Sequence, residues 1–179
     1  MKKCVMRMAL AAVAAAMIVG LAGCGPAKAD TDAMDAALTA AARLRSKVEA
    51  GVVYADYSNA VGDTKGTIDL FTESPSAVKA YPAVAKDLES AMRAYVGAAA
   101  IWNAKIQDTQ NQTPFVSAVA AWPALVTEFT GLSDQITSVP VWDGSTSTPM
   151  PAISADGAMQ ALWTVAGARV DWAKTAAAK

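Results

Sequence analysis

The 179-residue chain contains no histidine and only two cysteines, Cys4 and Cys24. The missing imidazole excludes Ser-His-Asp and Cys-His nucleophilic sites, and also haem attachment through Cys-x-x-Cys-His. It equally excludes the di-iron use of a helical bundle, which requires inward-facing Glu-x-x-His motifs. Charge is sparse and nearly balanced, with 15 basic and 16 acidic residues. No basic patch typical of nucleic-acid binding is present, so we expect no nucleic-acid partner.

A long apolar run is also missing outside the N-terminus. Met8 to Val19 is uninterrupted apolar sequence that follows Lys2, Lys3 and Arg7. At about a dozen residues, this run is too short to be a permanent span of a hydrocarbon core of ~30 Å. A basic head, a short apolar run and a small-residue exit are typical of a cleaved signal peptide. The remaining sequence has no apolar stretch of spanning length, which excludes a membrane-spanning bundle.

The exit of the apolar run reads Leu21-Ala22-Gly23-Cys24 and resembles the lipobox of bacterial lipoproteins. The resemblance covers the first 24 residues. It implies that a diacylglyceryl group is added to the sulfur of Cys24, that signal peptidase II cuts before this residue, and that the protein stays anchored to a membrane. Gly25, where aspartate would favour retention at the inner membrane, implies sorting to the periplasmic face of an outer membrane in an organism that has one.

Three segments follow from this resemblance. We expect a signal peptide over residues 1–23, a lipidated tether over residues 24–31 and one folded domain over residues 32–179. Removal of the three basic residues of the signal leaves 12 basic and 16 acidic residues, a net charge of about −4. Cys24 is then the only cysteine of the mature chain, and we expect lipid attachment to be its only role. About 150 residues suffice for a single domain with a substantial core.

Alanine is abundant, and strand-type alternation is scarce, so the sequence favours helix. Large apolar residues recur at steps of three and four in five segments, which begin near Met34, Tyr54, Val78, Phe115 and Met159. This heptad spacing predicts an all-α, antiparallel bundle of four or five helices.

Punctuating residues mark where the predicted helices begin and end. Gly51 is placed to end the first helix, and Ser74-Pro75, Thr113-Pro114 and Ser154 are placed to begin later ones. Pro82 is expected to restart a long helix, because proline interrupts a helix interior. Residues 138–153 are rich in Pro, Ser and Thr, and we expect them to form a long loop that carries Trp142.

The aromatic side chains are the main candidates for contact with a partner or ligand. Tyrosines and tryptophans on the predicted seams either fill the core or leave an interhelical cavity for a small ligand. Trp142 and Trp172 lie off the seams and are expected to be exposed. The candidate contact residues are Trp142, Trp172, Tyr54, Tyr57, Tyr95 and Trp102.

Two functions remain open. The first is a non-enzymatic envelope lipoprotein whose bundle surface and 138–153 segment bind another envelope protein. The second is a bundle that binds a small molecule or lipid in a cavity of a few hundred Å³. We expect no cofactor, no metal and no enzymatic activity, because an enzyme would need carboxylates that converge in a pocket with perturbed pKa values. Asp56 and Asp63 share a helix face and are expected to be solvated.

Overall fold

The computed structural model describes residues 26–108 and 113–179, so the Leu21-Ala22-Gly23-Cys24 motif lies outside the described residues. Six α-helices and one two-stranded sheet form within these residues. They are, in chain order, α1 Lys28–Ala50, α2 Tyr54–Thr72, α3 Pro75–Ala80, α4 Pro82–Gln107, α5 Trp122–Glu128, β1 Ile136–Trp142, β2 Ser147–Ile153 and α6 Ala155–Ala177. The expected helical character is confirmed, whereas an exclusively α-helical fold is wrong.

The four long helices, α1, α2, α4 and α6, build the core, and α4 packs most extensively against α6. These two helices are antiparallel, because Lys105 near the end of α4 contacts Asp156 at the start of α6. At the other end, Arg169 of α6 contacts Asp87 of α4. The second predicted seam is confirmed, since its members after Tyr54 are all buried: Tyr57, Val61, Thr64, Ile68 and Phe71.

Four of the predicted helix boundaries are confirmed. Gly51 ends α1 with a φ of 85°, and its N–H donates to the carbonyl oxygen of Val48 at 3.1 Å. The hydroxyl of Ser74 accepts a hydrogen bond from the N–H of Ala77 before α3, and α4 begins at Pro82. α6 starts directly after Ser154 as expected, although the Ser154 side chain makes no capping hydrogen bond.

The predicted helix beginning at Thr113-Pro114 is wrong. The chain from Phe115 to Ile136 instead forms the short helix α5 between two 3₁₀ turns, Val116–Ala118 and Leu132–Gln135. Phe115 adopts an extended backbone and pairs with Ala152 of β2, which places the start of this stretch beside the sheet. Gly131 has a φ of 94°, a conformation outside the right-handed helical region, so the apolar seam cannot continue as one helix.

The predicted loop over residues 138–153 is also wrong, because most of it belongs to an antiparallel β-hairpin. β1 and β2 pair from Ile136 with Ile153 to Trp142 with Ser147. Hydrogen-bonded and non-hydrogen-bonded residue pairs alternate along this antiparallel ladder. The three prolines of the hairpin all occupy non-hydrogen-bonded pairs, in which the backbone nitrogen faces away from the partner strand: Pro140, Pro149 and Pro151. Ile153, on the same set of pairs, donates its N–H outward to the carbonyl oxygen of Pro114 at 2.9 Å. The prolines that suggested a loop therefore remove no hydrogen bond of the ladder.

α1 begins at Lys28, within the segment predicted as the tether over residues 24–31, and the tether itself stays a prediction. The first turn of α1 is hydrogen-bonded to α3 and to Tyr81, the residue that follows α3. The hydroxyl of Ser76 donates to Asp30 at 2.7 Å, and the hydroxyls of Thr31 and Tyr81 are hydrogen-bonded at 2.8 Å. Among the described residues, no helix is both long and apolar enough to cross a membrane.

Candidate functional site

Tyr57 is the centre of a buried cluster that joins three helices. Its side chain is 0% exposed, and its hydroxyl donates to the carbonyl oxygen of Tyr95 on α4 at 2.8 Å. The same hydroxyl accepts a hydrogen bond from the indole Nε1–H of Trp163 on α6 at 2.9 Å. Burial raises the pKa of Tyr57 above the usual tyrosine value, and the hydrogen bond from Trp163 opposes this effect. Tyr57 is therefore a neutral donor and acceptor that locks α2 to α4 and α6.

Trp102 extends this cluster towards the turn between α1 and α2. Its ring centroid lies 5.6 Å from those of Tyr54 and Tyr57 and 5.9 Å from that of Trp163. The rings are tilted or edge-to-face, which is the favoured geometry for aromatic pairs. Of the predicted ligand contacts, Tyr54, Tyr57 and Trp102 thus pack on one another and on Trp163. Their direct role in binding a ligand stays a prediction.

Tyr95, in contrast, lies beside a cavity of about 390 Å³ between α1, α4 and α6. The cavity is lined by polar side chains, among them Arg45, Glu49 and Gln160, together with part of Trp163. The side chain of Tyr95 is 1% exposed. The cavity size falls at the lower end of the range for small-ligand sites, roughly 300–1,000 Å³. Sequence reasoning named Tyr95 but missed Arg45, Glu49 and Gln160, which come together only through the packing of α1 on α6.

Arg45 organises the charge around this cavity. Its Nε donates to Glu49 at 2.6 Å, and its Nη1 donates to Asp171 at 2.6 Å and more weakly to the carbonyl oxygen of Gly167 at 3.4 Å. The hydrogen bonds to Asp171 and Glu49 raise the pKa of the guanidinium, so Arg45 is permanently charged. One cation therefore bonds two carboxylates, of which Glu49 lines the cavity and Asp171 lies outside the lining.

The hairpin presents a second candidate surface, which we call the arm and define as residues 136–153. Trp142 is 72% exposed, and Met150 and Ile136 are also exposed. Burial is concentrated at the base, where Ala152 and Ile153 enter the core. The tip is held by Asp143, whose carboxylate accepts hydrogen bonds from the backbone and hydroxyl of Thr146 and from the N–H of Ser145. These hydrogen bonds, the one from the Thr146 backbone first, lower the pKa of Asp143.

Trp172 is exposed as predicted, at 55%, but its ring also interacts with a cation of the same helix. The guanidinium carbon of Arg169 lies 4.7 Å from the ring centroid, which is cation–π distance. Arg169 in turn contacts Asp87 at 3.0 Å. The arm therefore offers an exposed tryptophan that is less engaged with the body than Trp172.

Glu49 and Asp171 meet at Arg45, but no larger group of acidic residues forms in the described part of the chain. Asp56 and Asp63 are exposed on α2, as expected from their spacing. Residues 26–108 and 113–179 contain no group of three or more acidic side chains that could hold a metal ion. Cys24, the predicted lipidation site, lies outside the described residues, so its role stays a prediction.

Comparison with known proteins does not assign this chain to a family. No protein-family model, no curated protein and no solved structure matches this chain. The functional argument therefore rests on the geometry of the cavity and of the arm.

Proposed function

We propose that this protein is a lipid-anchored envelope lipoprotein without enzymatic activity, and that the arm binds another envelope protein. The anchor is supported by the signal-like N-terminus and the Leu21-Ala22-Gly23-Cys24 motif. The observation that carries the binding role is the arm itself, a ribbon whose exposed apolar side chains are attached to the body only near its base. A two-stranded ribbon is marginally stable alone, so a partner surface is expected to contribute to its order.

The placement of the arm supports this role. α1 begins at the end of the bundle where Thr31 meets Tyr81, directly before α4. The arm is joined to the first residue of α6, beside Asp156, which contacts Lys105 near the last turn of α4. α4 has 26 residues, so these two ends are separated by about 39 Å. An anchor at Cys24 would hold one end of the body at the membrane and present the arm at the other.

Photocrosslinking in living cells tests the proposed interaction. A photoreactive amino acid replaces Val141 on the arm or Asp56 on α2, and adducts are captured through a C-terminal tag. We expect a discrete protein adduct from position 141 and none from position 56. In the same assay, Trp142→Ala should reduce the amount of adduct several-fold, because a buried interface tryptophan typically contributes more than 1 kcal/mol.

The Trp172→Ala variant is the matched control for loss of an exposed tryptophan. It should leave the adduct unchanged. Loss of the adduct in this variant alone would move the interface to α6. Recovery of lipid and abundant porins only, from every position, would contradict a specific protein partner.

A further inference from the structure

The hydroxyl of Tyr95 differs in its surroundings from that of the other buried tyrosine. The other buried tyrosine, Tyr57, has its hydroxyl bonded on two sides, and the half-buried Tyr81 is bonded to Thr31. For Tyr95, no hydrogen bond of the hydroxyl to another group is found within residues 26–108 and 113–179, although the residue is 1% exposed and lines the cavity. The Tyr95 hydroxyl is not itself sealed from solvent, so its bonding partner comes from the cavity that the residue lines. An unused donor that faces a cavity therefore points to a ligand or ordered water there.

The charges around the cavity restrict what that ligand can be. Burial is the main cause of the raised pKa of the Tyr95 hydroxyl, and charges of both signs act on it: Arg45 lowers the pKa, whereas Glu49 and Asp171 raise it. Arg45 donates to one oxygen of Glu49, so the second carboxylate oxygen is available to accept. The guanidinium of Arg45 is already bonded to Glu49 and to Asp171 outside the lining, so it is not free to bind an anion, and the polar lining disfavours an acyl chain.

We propose that the cavity binds a small amine that also carries hydroxyl groups, such as an amino alcohol or an amino sugar. The ligand ammonium donates to Glu49 and lies near the ring of Trp163, which attracts cations. A ligand hydroxyl oxygen accepts the hydrogen bond from Tyr95, and the Gln160 amide supplies further hydrogen bonds at the rim. Because the cavity lies on the helical body, this inference does not depend on the arm or on the lipid anchor.

Titration calorimetry of the full mature chain in detergent micelles tests the proposal, with glucosamine, ethanolamine and glucose as probes. Glucosamine should bind saturably, and glucose, which has a hydroxyl in place of the ammonium, should bind at least about tenfold more weakly. Glu49→Gln should weaken the binding of glucosamine about tenfold and leave that of glucose unchanged. Absence of saturable binding of either amine up to roughly 100 mM would overturn the proposal, and so would equal affinity for glucosamine and glucose.

Two tyrosine variants separate a ligand role from a structural one. Tyr95→Phe should weaken glucosamine binding about three- to tenfold, with the Tm unchanged within about 2 °C, because no internal hydrogen bond is lost. The matched control, Tyr81→Phe, should show the reverse: a lower Tm and unchanged affinity. If Tyr95→Phe lowers the Tm as much as the control does, or leaves the affinity unchanged, the Tyr95 hydroxyl has no role in ligand binding and the proposal fails.

Discussion

Tyr57 carries more of the internal bonding than its neighbours, because one hydroxyl satisfies groups on two other helices. It donates to the backbone of Tyr95 and accepts from Trp163, while its ring packs on Trp102. Loss of this hydroxyl leaves the partly buried indole N–H of Trp163 without its partner, whereas the Tyr95 carbonyl oxygen keeps its hydrogen bond within α4. Such an unsatisfied group costs more than the net value of the hydrogen bond itself.

We therefore predict that Tyr57→Phe lowers the free energy of unfolding by about 1–3 kcal/mol without a change of fold. Urea denaturation followed by circular dichroism measures this difference. Tyr54→Phe is the control, because Tyr54 lies on the rim of the same cluster and its ring contact is kept. An effect of Tyr57→Phe no larger than that of Tyr54→Phe would show that the hydroxyl does not join the helices.

The buried tyrosines also predict how stability depends on alkaline pH. Burial raises the pKa of Tyr95 to about 12 from a usual value of about 10. The unfolded state therefore loses its phenolic proton before the folded state does, so the stability contribution is complete below pH ~10 and is lost as the pH rises towards 12.

We expect the free energy of unfolding to fall by up to about 2 kcal/mol per buried tyrosine over this interval. Tyr95→Phe should flatten the pH dependence between pH ~10 and ~12, as measured by urea titrations at each pH. An identical slope in the variant and the parent would mean that Tyr95 titrates normally in the folded protein.

At the scale of elements, α5 packs against α4 through a glycine. A Cβ added to Gly97 of α4 would overlap the side chain of Leu125 of α5, which is itself buried. Gly66 of α2 also lies inside a helix, but a Cβ there meets no atom within 4 Å. The two positions have the same backbone preference for alanine and differ in the space around them.

This contrast predicts opposite signs for the same substitution. Gly66→Ala should raise the free energy of unfolding by about 0.5–1 kcal/mol, because alanine is the better helix former. Gly97→Ala should lower it, because overpacking costs about 1–3 kcal/mol and exceeds that gain. Chemical denaturation of both variants and of the parent measures these changes in the free energy of unfolding. Stabilisation by both would mean that Leu125 moves aside without cost.

The outer edges of the arm predict a further element-scale effect. Pro149 and Pro151 remove two outward N–H groups from the outer edge of β2, whose base is covered by Pro114 and Phe115. Pro140 removes one outward N–H group from β1. Such prolines block the pairing of exposed strand edges between copies. Replacement of Pro149 and Pro151 by threonine should therefore cause concentration-dependent self-association, measured by sedimentation velocity. Thr148→Pro is the control: it removes a ladder N–H, and is expected to disrupt the hairpin without self-association of its edge.

The sequence predicted those elements whose signal is local and periodic. α1, α2, α4 and α6 each repeat apolar residues at helical spacing, and Gly51, Ser74 and Pro82 act through backbone geometry within a few residues. The arm was misread because its prolines are compatible with a strand only in a register that β1 and β2 define together. The cavity could not be predicted, because Arg45, Tyr95 and Gln160 come from three helices that meet only in the folded protein.

At the scale of the whole molecule, the proposed anchor and the folded body are separable. α1 begins at Lys28 and is hydrogen-bonded to the body through Asp30 and Thr31, so we expect folding not to depend on the residues before it. We predict that Cys24→Ala leaves the circular dichroism spectrum and the Tm unchanged but abolishes lipid attachment and mature processing. Mass spectrometry and membrane fractionation measure this outcome. A processed variant that still fractionates with membranes would contradict anchoring through Cys24.

The antiparallel packing of α4 and α6 also sets the distance between the start of α1 and the base of the arm. If the proposed lipid on Cys24 holds the start of α1 at the bilayer and α4 lies along the bilayer normal, the body would place the base of the arm about 39 Å from the bilayer surface. The seven residues of β1 extend this reach by up to about 23 Å. Neighbouring proteins embedded in the same bilayer would lie below the arm, and a layer held several nanometres away would lie within its range. Each helical turn added to or removed from the bundle would shift that range by about 5.4 Å.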